Sequence, residues 1–140
     1  MSFSYDFKTF FENAPDGVFI ADKNGKYLLV NPAASRITGY SKEELENLSI
    51  RDLIHEEGRE DALSNFETVK KEGQSSIELP FVKKDGTKRY WVVDAVKISD
   101  NQFMGFVRDI TEEKKAKEAL FESEANFTSL LENPIDSVIY

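Results

Sequence analysis

Residues 75–110 read SSIELPFVKKDGTKRYWVVDAVKISDNQFMGFVRDI, and this stretch decides the fold. Apolar and polar residues alternate with a period of two over 75–82, again over 87–98 and again over 102–110, as in strands whose successive side chains point to opposite faces. Asp85-Gly86 and Asp100-Asn101 separate the three runs, and these residue types favour tight turns. In the middle run Tyr90, Val92, Asp94, Val96 and Ile98 point one way while Trp91, Val93 and Ala95 point the other. Both faces are therefore apolar near the strand's centre, and both need cover. Helices can close one. The other calls for the N-terminal segment, a partner chain, or both, so homodimerisation is expected.

Working upstream, residues 56–72 carry Ala62, Leu63, Phe66 and Val69 at helical spacing and stop at Gly73. Residues 50–54 give a further turn or two, and Ser41-Lys42-Glu43-Glu44 is a capping box opening a short helix through Leu45. Asn31-Pro32 is a helix start, since Asn accepts from free amides and Pro at the first helical position loses no hydrogen bond; Gly39 ends that helix. Before it, two extended runs at 18–21 and 26–30 flank Asp22-Lys23-Asn24-Gly25, where Asn-Gly supplies the positive φ values of a tight hairpin. Residues 5–13 read as a helix with Phe7, Phe10 and Phe11 on one side, ended by Ala14-Pro15-Asp16-Gly17. The total is five strands, of α+β class.

Downstream, the period turns helical from Thr111, with Asp109 or Thr111 placed to cap and Glu112 and Glu113 where the helix dipole favours anions. Ala116, Leu120, Ser123, Phe127 and Leu130 recur at heptad spacing over about two heptads, a short coiled-coil-like seam. Phe7 to Ile20 aligns without a gap on Phe127 to Tyr140, with identities at Phe7/Phe127, Glu12/Glu132, Asn13/Asn133, Asp16/Asp136 and Val18/Val138. The chain thus reads as an N-terminal flanking helix (1–13), one domain (14–111), a linker helix (112–130) and the truncated start of a second copy (131–140).

Composition bounds the chemistry. The 140 residues carry a net charge of −8, which argues against nucleic acid and anionic lipid as partners. No apolar run is long enough to cross a bilayer and no signal pattern opens the chain, so direct membrane contact is not expected and a cytoplasmic location is. Cys is absent, which removes disulfides, thiolate metal sites and thiol nucleophiles. His55, the one histidine, begins like the phosphoacceptor box of sensor kinases, but Glu57, Gly58 and Arg59 break that pattern; it reads as a solvated residue at a helix start. A lone His with scattered carboxylates makes no metal site, and no phosphate-binding loop, nucleophile elbow or Ser/His/Asp set is present. No catalytic role is expected. Asp94 interrupts an apolar face, and a carboxylate buried there would need a hydrogen bond, an ion pair or a ligand.

Two strands, a run of short helices, a longer helix and three strands, with this punctuation, resemble the PAS domain family. The resemblance rests on Asn13-Ala14-Pro15-Asp16-Gly17-Val18, Asn31-Pro32-Ala33-Ala34, Gly39-Tyr40-Ser41-Lys42-Glu43-Glu44-Leu45, Asp52-Leu53-Ile54-His55, Lys83-Lys84-Asp85-Gly86-Thr87 and Gly105-Phe106-Val107-Arg108-Asp109-Ile110-Thr111, in family order over residues 11–111. It implies an antiparallel five-stranded sheet in the order 2-1-5-4-3 holding a pocket against the helices. By position the implied pocket residues are Phe19, Ala21, Ile50, Leu53, Phe81, Val92, Asp94, Phe103 and Val107. Asp109-Ile110-Thr111 matches the family's signature at the exit helix, implying a relay of signal from sheet to helix. The flavin-binding light sensors carry a reactive Cys where this chain has Ile50, and the coumarate-binding photoreceptors also need a Cys, so neither cofactor is implied. The haem branch uses a His near the position of Ala62, which His55 does not occupy, so haem is not implied either.

The resemblance implies a sensory or dimerisation module, most naturally of a bacterial or archaeal sensor histidine kinase whose downstream kinase region lies outside this chain. A small organic ligand, or none, remains as the occupant of the pocket. The alternative is a ligand-free dimerisation module of another output protein, such as a diguanylate cyclase or a transcriptional regulator.

Overall fold

In the computed structural model, residues 6–132 are described, with side chains as far as residue 126. The chain forms two compact units that divide after Asp109. The first contains α1 (Phe7–Asn13), β1 (Gly17–Ala21), β2 (Tyr27–Val30), α2 (Pro32–Thr38), α3 (Lys42–Leu45), α4 (Ile50–Leu53), a 3-10 turn (Glu56–Gly58), α5 (Arg59–Glu72), β3 (Gln74–Val82), β4 (Lys88–Ser99) and β5 (Gln102–Asp109). The second contains α6 (Thr111–Glu132). All five strands form one antiparallel sheet in the order β2-β1-β5-β4-β3.

Register decides which residues face the helices. Phe19 lies opposite Val30 and Gly105, Val107 opposite Val93, and Trp91 opposite Leu79. Directly paired residues share a face, so Phe19, Val30, Leu79, Trp91, Val93 and Val107 form the inner side of the sheet. Trp91 stacks on Phe81 with ring centroids 4.0 Å apart, and Phe19 meets Trp91 edge-on. Leu45, Leu53 and Val69 close the other side of this core and are fully buried.

Local chemistry matches the elements. Asn31 caps α2, Ser41 and Glu44 form a reciprocal capping box, and Gly39 and Gly73 end their helices at φ 81° and 91°. Asn31 does more than cap: it is buried and makes four hydrogen bonds. Its Oδ1 accepts from the amides of Val18 (2.8 Å) and Ala34 (3.0 Å), and its Nδ2 donates to the carbonyls of Phe11 (3.0 Å) and Asp16 (3.0 Å). One side chain thereby ties α1, the following turn, β1 and α2 together.

Gly17 sits where β1 passes under α2. A Cβ there would stand 2.7 Å from Val107 Cγ2 and 3.2 Å from the Ala34 backbone. Gly17→Ala should therefore lower stability by about 1–3 kcal/mol through overpacking, as read by urea denaturation. A variant as stable as the parent would mean that α2 rides up from the sheet without cost.

Four expectations are corrected. The hairpin at 22–25 has positive φ only at Gly25, not at Asn24, because Gly25 N donates to Asp22 O while Asp22 Oδ1 accepts from the Asn24 and Lys26 amides. The register shift in β1 at Ile20/Ala21 accommodates this longer turn. The helix expected over 56–72 opens as the 3-10 turn, where His55 Nδ1 accepts from the Glu57 amide. Leu63 points to solvent at 65% exposed, and of the Phe stripe on α1 only Phe11 is buried. Residues 133–140, most of the expected start of a second copy, lie outside the described residues, as do the Phe127 and Leu130 side chains of the expected seam.

Candidate functional site: an apolar cavity between sheet and helices

Side chains of all five strands on one side, and of α4 and α5 on the other, leave a cavity of about 80 Å³ in the first unit. Of the residues named from the sequence, Phe19, Ala21, Ile50, Phe103 and Val107 line it. Leu53 and Phe81 are fully buried in the adjoining core and do not line it. Val92 and Asp94 are elsewhere: they lie opposite Arg108 and Phe106, on the outer face of the sheet. Asp94 is exposed to solvent, so no buried carboxylate needs a partner.

Residues that the sequence reading did not place in the pocket extend the lining, Ile54 and Leu79 among them. Trp91, Val93 and Ala95 contribute from β4, and Ala62, Asn65, Phe66 and Val69 from α5. The signals existed: Ala62, Phe66 and Val69 belong to the helical stripe, and Trp91, Val93 and Ala95 are the other parity of β4. Tyr27 also lines the cavity, and burial, with a smaller contribution from Asp52, pushes its hydroxyl pKa far above the ordinary value. It stays neutral, so the lining holds no charge.

A second feature stands at the end of β5. Arg89 Nε donates to Asp109 Oδ2, and both side chains are only about a quarter exposed (27% and 23%). Asp109 thus anchors the last residue of the sheet to β4, two positions before α6 begins. Among the described residues no cluster of His, Cys, Asp and Glu is placed to hold a metal ion, and no helix is long and apolar enough to cross a membrane.

The model of the PAS fold family matches residues 5–110, and the chain belongs to that family: it is a PAS sensor module of signal transduction. Among curated proteins it resembles sporulation kinase E of Bacillus subtilis, 28% identical over 134 residues, which cover 95% of this chain and 18% of the kinase. It also resembles the methyl sulfide methyltransferase-associated sensor of Methanosarcina acetivorans, 35% identical over 118 residues, 81% of this chain and 12% of that protein. The chain thus spans less than a fifth of these relatives. A solved domain of a sensory box sensor histidine kinase/response regulator from Geobacter sulfurreducens superposes with a TM-score of 0.66 at 28% identity, covering 74% of this chain and 90% of that domain.

Proposed function

We propose that this chain is the cytoplasmic sensing module of a two-component histidine kinase, that it is itself non-catalytic, and that it works as a homodimer. A small molecule entering the cavity biases the position of β5, and the Asp109-Ile110-Thr111 junction carries that bias into α6 and on to the kinase region. The observation that carries this reading is the uncharged, mostly apolar cavity against β1, β4 and β5, because a guest there touches the strand that leads directly into α6. Concave, mostly apolar sites of this kind are where small ligands bind. The kinase parentage is supported by the relatives above. Native mass spectrometry and an absorption spectrum of the purified chain test it: a retained small molecule supports sensing, and a chain that stays empty through a metabolite screen counts against it.

The outer face supports the dimer. Phe7 and Phe10 on α1 are more than half exposed, and Val96, Ile98 and Phe106 are exposed on the sheet beside them. Phe7, Phe10, Phe11, Val18, Met104 and Phe106 line a groove there of about 690 Å³. An apolar surface of this kind marks an interaction site. Phe106→Glu should move the dimer–monomer equilibrium at least tenfold toward monomer in sedimentation equilibrium, with little change in fold. An unaltered equilibrium would place the interface elsewhere. This same face favours the second reading, a ligand-free dimerisation module, should the cavity prove inert.

A further inference from the structure

Leu63 is 65% exposed on α5, yet it does not stand alone. Arg59, Ala62, Leu63 and Phe66 recur at helical spacing along one face of α5. Across from them stand Ile50 and Arg51 of α4 and the Asn24-Gly25 turn, and together they leave a groove of about 200 Å³. An apolar floor and two guanidinium groups thus share one concave site, apart from the cavity between sheet and helices. Ile50, Ala62 and Phe66 line both, and Phe66 meets Phe103 of β5 edge-on with ring centroids 5.1 Å apart. An occupant of the groove is one side chain away from β5.

The two arginines lack what the rest of the chain offers in excess. There are 26 acidic residues against 18 lysines and arginines, so carboxylates are plentiful. Among the described residues neither Arg51 nor Arg59 forms an ion pair, and no carboxylate lines the groove. Asp52, next to Arg51, is turned to Ser49: its Oδ2 accepts from the Ser49 amide (2.8 Å) and from Ser49 Oγ (3.0 Å). Two cations on one groove repel each other, and an anion seated between them turns that repulsion into attraction.

The remaining donors select the anion. The amides of Asn24, Gly25, Ser49 and Ile50 already donate, to Asp22 Oδ1, Asp22 O, Asp52 Oδ2 and Gly25 O. No cradle of free backbone amides is left for a phosphate group, whose extra oxygens and second charge would lie unsatisfied beside the apolar floor. Two guanidinium forks suit a carboxylate, which has two oxygens and about four acceptor sites. Ile50, Leu63 and Phe66 ask for an apolar body. Size sets its extent: an apolar cavity of about 150 Å³ holds benzene, with six heavy atoms, so about 200 Å³ holds roughly eight.

We propose that this groove binds a monocarboxylate whose apolar part is a single ring or a short chain, its carboxylate held by Arg51 and Arg59 and its body against Ile50, Leu63 and Phe66. The site is separate from the cavity of the sensor reading and stands or falls without it.

The probes are benzoate and benzamide, which share shape and size but differ in charge, with acetate as the carboxylate lacking a ring and phenyl phosphate as the rival anion. Titrations of the chain followed by methyl resonances locate each probe, because Leu63 lines the groove alone and Ala95 the cavity alone. Benzoate is expected to shift the Leu63 methyls saturably and to bind about tenfold more tightly than benzamide at low ionic strength, as charge-assisted hydrogen bonds predict, with the gap narrowing as salt is added. Acetate and phenyl phosphate should bind more weakly than benzoate. Both arginines are exposed, so Arg51→Gln/Arg59→Gln should fold as the parent chain does and lose the preference for benzoate over benzamide. If that variant does not fold, the salt dependence and the Leu63 shifts in the unaltered chain decide by themselves. Equal binding of benzoate and benzamide, a preference that survives in the double variant, or tighter binding of phenyl phosphate overturns the proposal. So does benzoate that moves Ala95 and leaves Leu63 unmoved, which would place it in the cavity and favour the sensor reading instead. Failure of benzoate to bind saturably overturns the proposal and leaves the sensor reading untouched.

Discussion

Asn31→Ala should lower the free energy of unfolding by about 3–5 kcal/mol, well above the roughly 1 kcal/mol that losing an ordinary helix cap costs. The difference lies in burial. Asn31 is 1% exposed, and its amide satisfies the Val18 and Ala34 amides and the Phe11 and Asp16 carbonyls at once. Alanine would leave the Val18 amide and the Phe11 and Asp16 carbonyls without that partner, whereas the Ala34 amide keeps the Asn31 carbonyl, and each buried orphan costs about 1–3 kcal/mol unless water reaches it. Asn31→Asp separates the two halves of the effect. It keeps the oxygen that accepts from Val18 and Ala34 but replaces the donor with a second acceptor facing two carbonyls, so it too should destabilise strongly. Urea titration with an unchanged slope provides the measurement. A loss below about 1 kcal/mol for alanine would mean that solvent replaces the side chain and that Asn31 is a cap like any other.

This residue also marks where sequence reading reaches its limit. Asn31-Pro32 announces a helix start because both residues act within one turn of it. The partners at Phe11, Asp16 and Val18 lie 20, 15 and 13 positions earlier, and no local pattern brings them to the amide. The strands show the same division. Alternation in residues 87–98 separates Trp91, Val93 and Ala95 from Val92, Asp94 and Val96, yet it does not say which set faces the helices. Pairing says so: Val107 lies opposite Val93, so Phe103 and Val107 cannot share a cavity with Val92 and Asp94. The resemblance supplied strand order and the cavity's place, whereas the facing of β4 followed from register alone. Asp94 misled because an acidic residue on an apolar stripe suggests a buried charge, and the stripe here is the open side of the sheet.

Asp109→Ala should break the link from sheet to α6 while sparing the fold. Asp109 closes β5 and accepts from Arg89 on β4, so a displacement of either strand is felt at the residue two positions before the helix starts. The pair is about three-quarters buried, and removing the carboxylate should cost the isolated chain about 1.5–3 kcal/mol, which lowers Tm but leaves the fold in place. Coupling between sites is commonly about 1–3 kcal/mol, so in the histidine kinase proposed above the larger effect should be on output: the signal-dependent change in autophosphorylation should shrink by about 5- to 150-fold. Arg89→Ala should act in the same direction, and the Asp109→Ala/Arg89→Ala pair should be no worse than either alone if the two residues work as one unit. Thr111→Ala tests the junction from the helix side. If that kinase responds to its signal unchanged in all of these variants, motion leaves the sheet by another route, and the outer face bearing Phe106 and Val96 becomes the path to examine, since a dimer that rearranges there could turn both α6 helices without any contribution from Asp109.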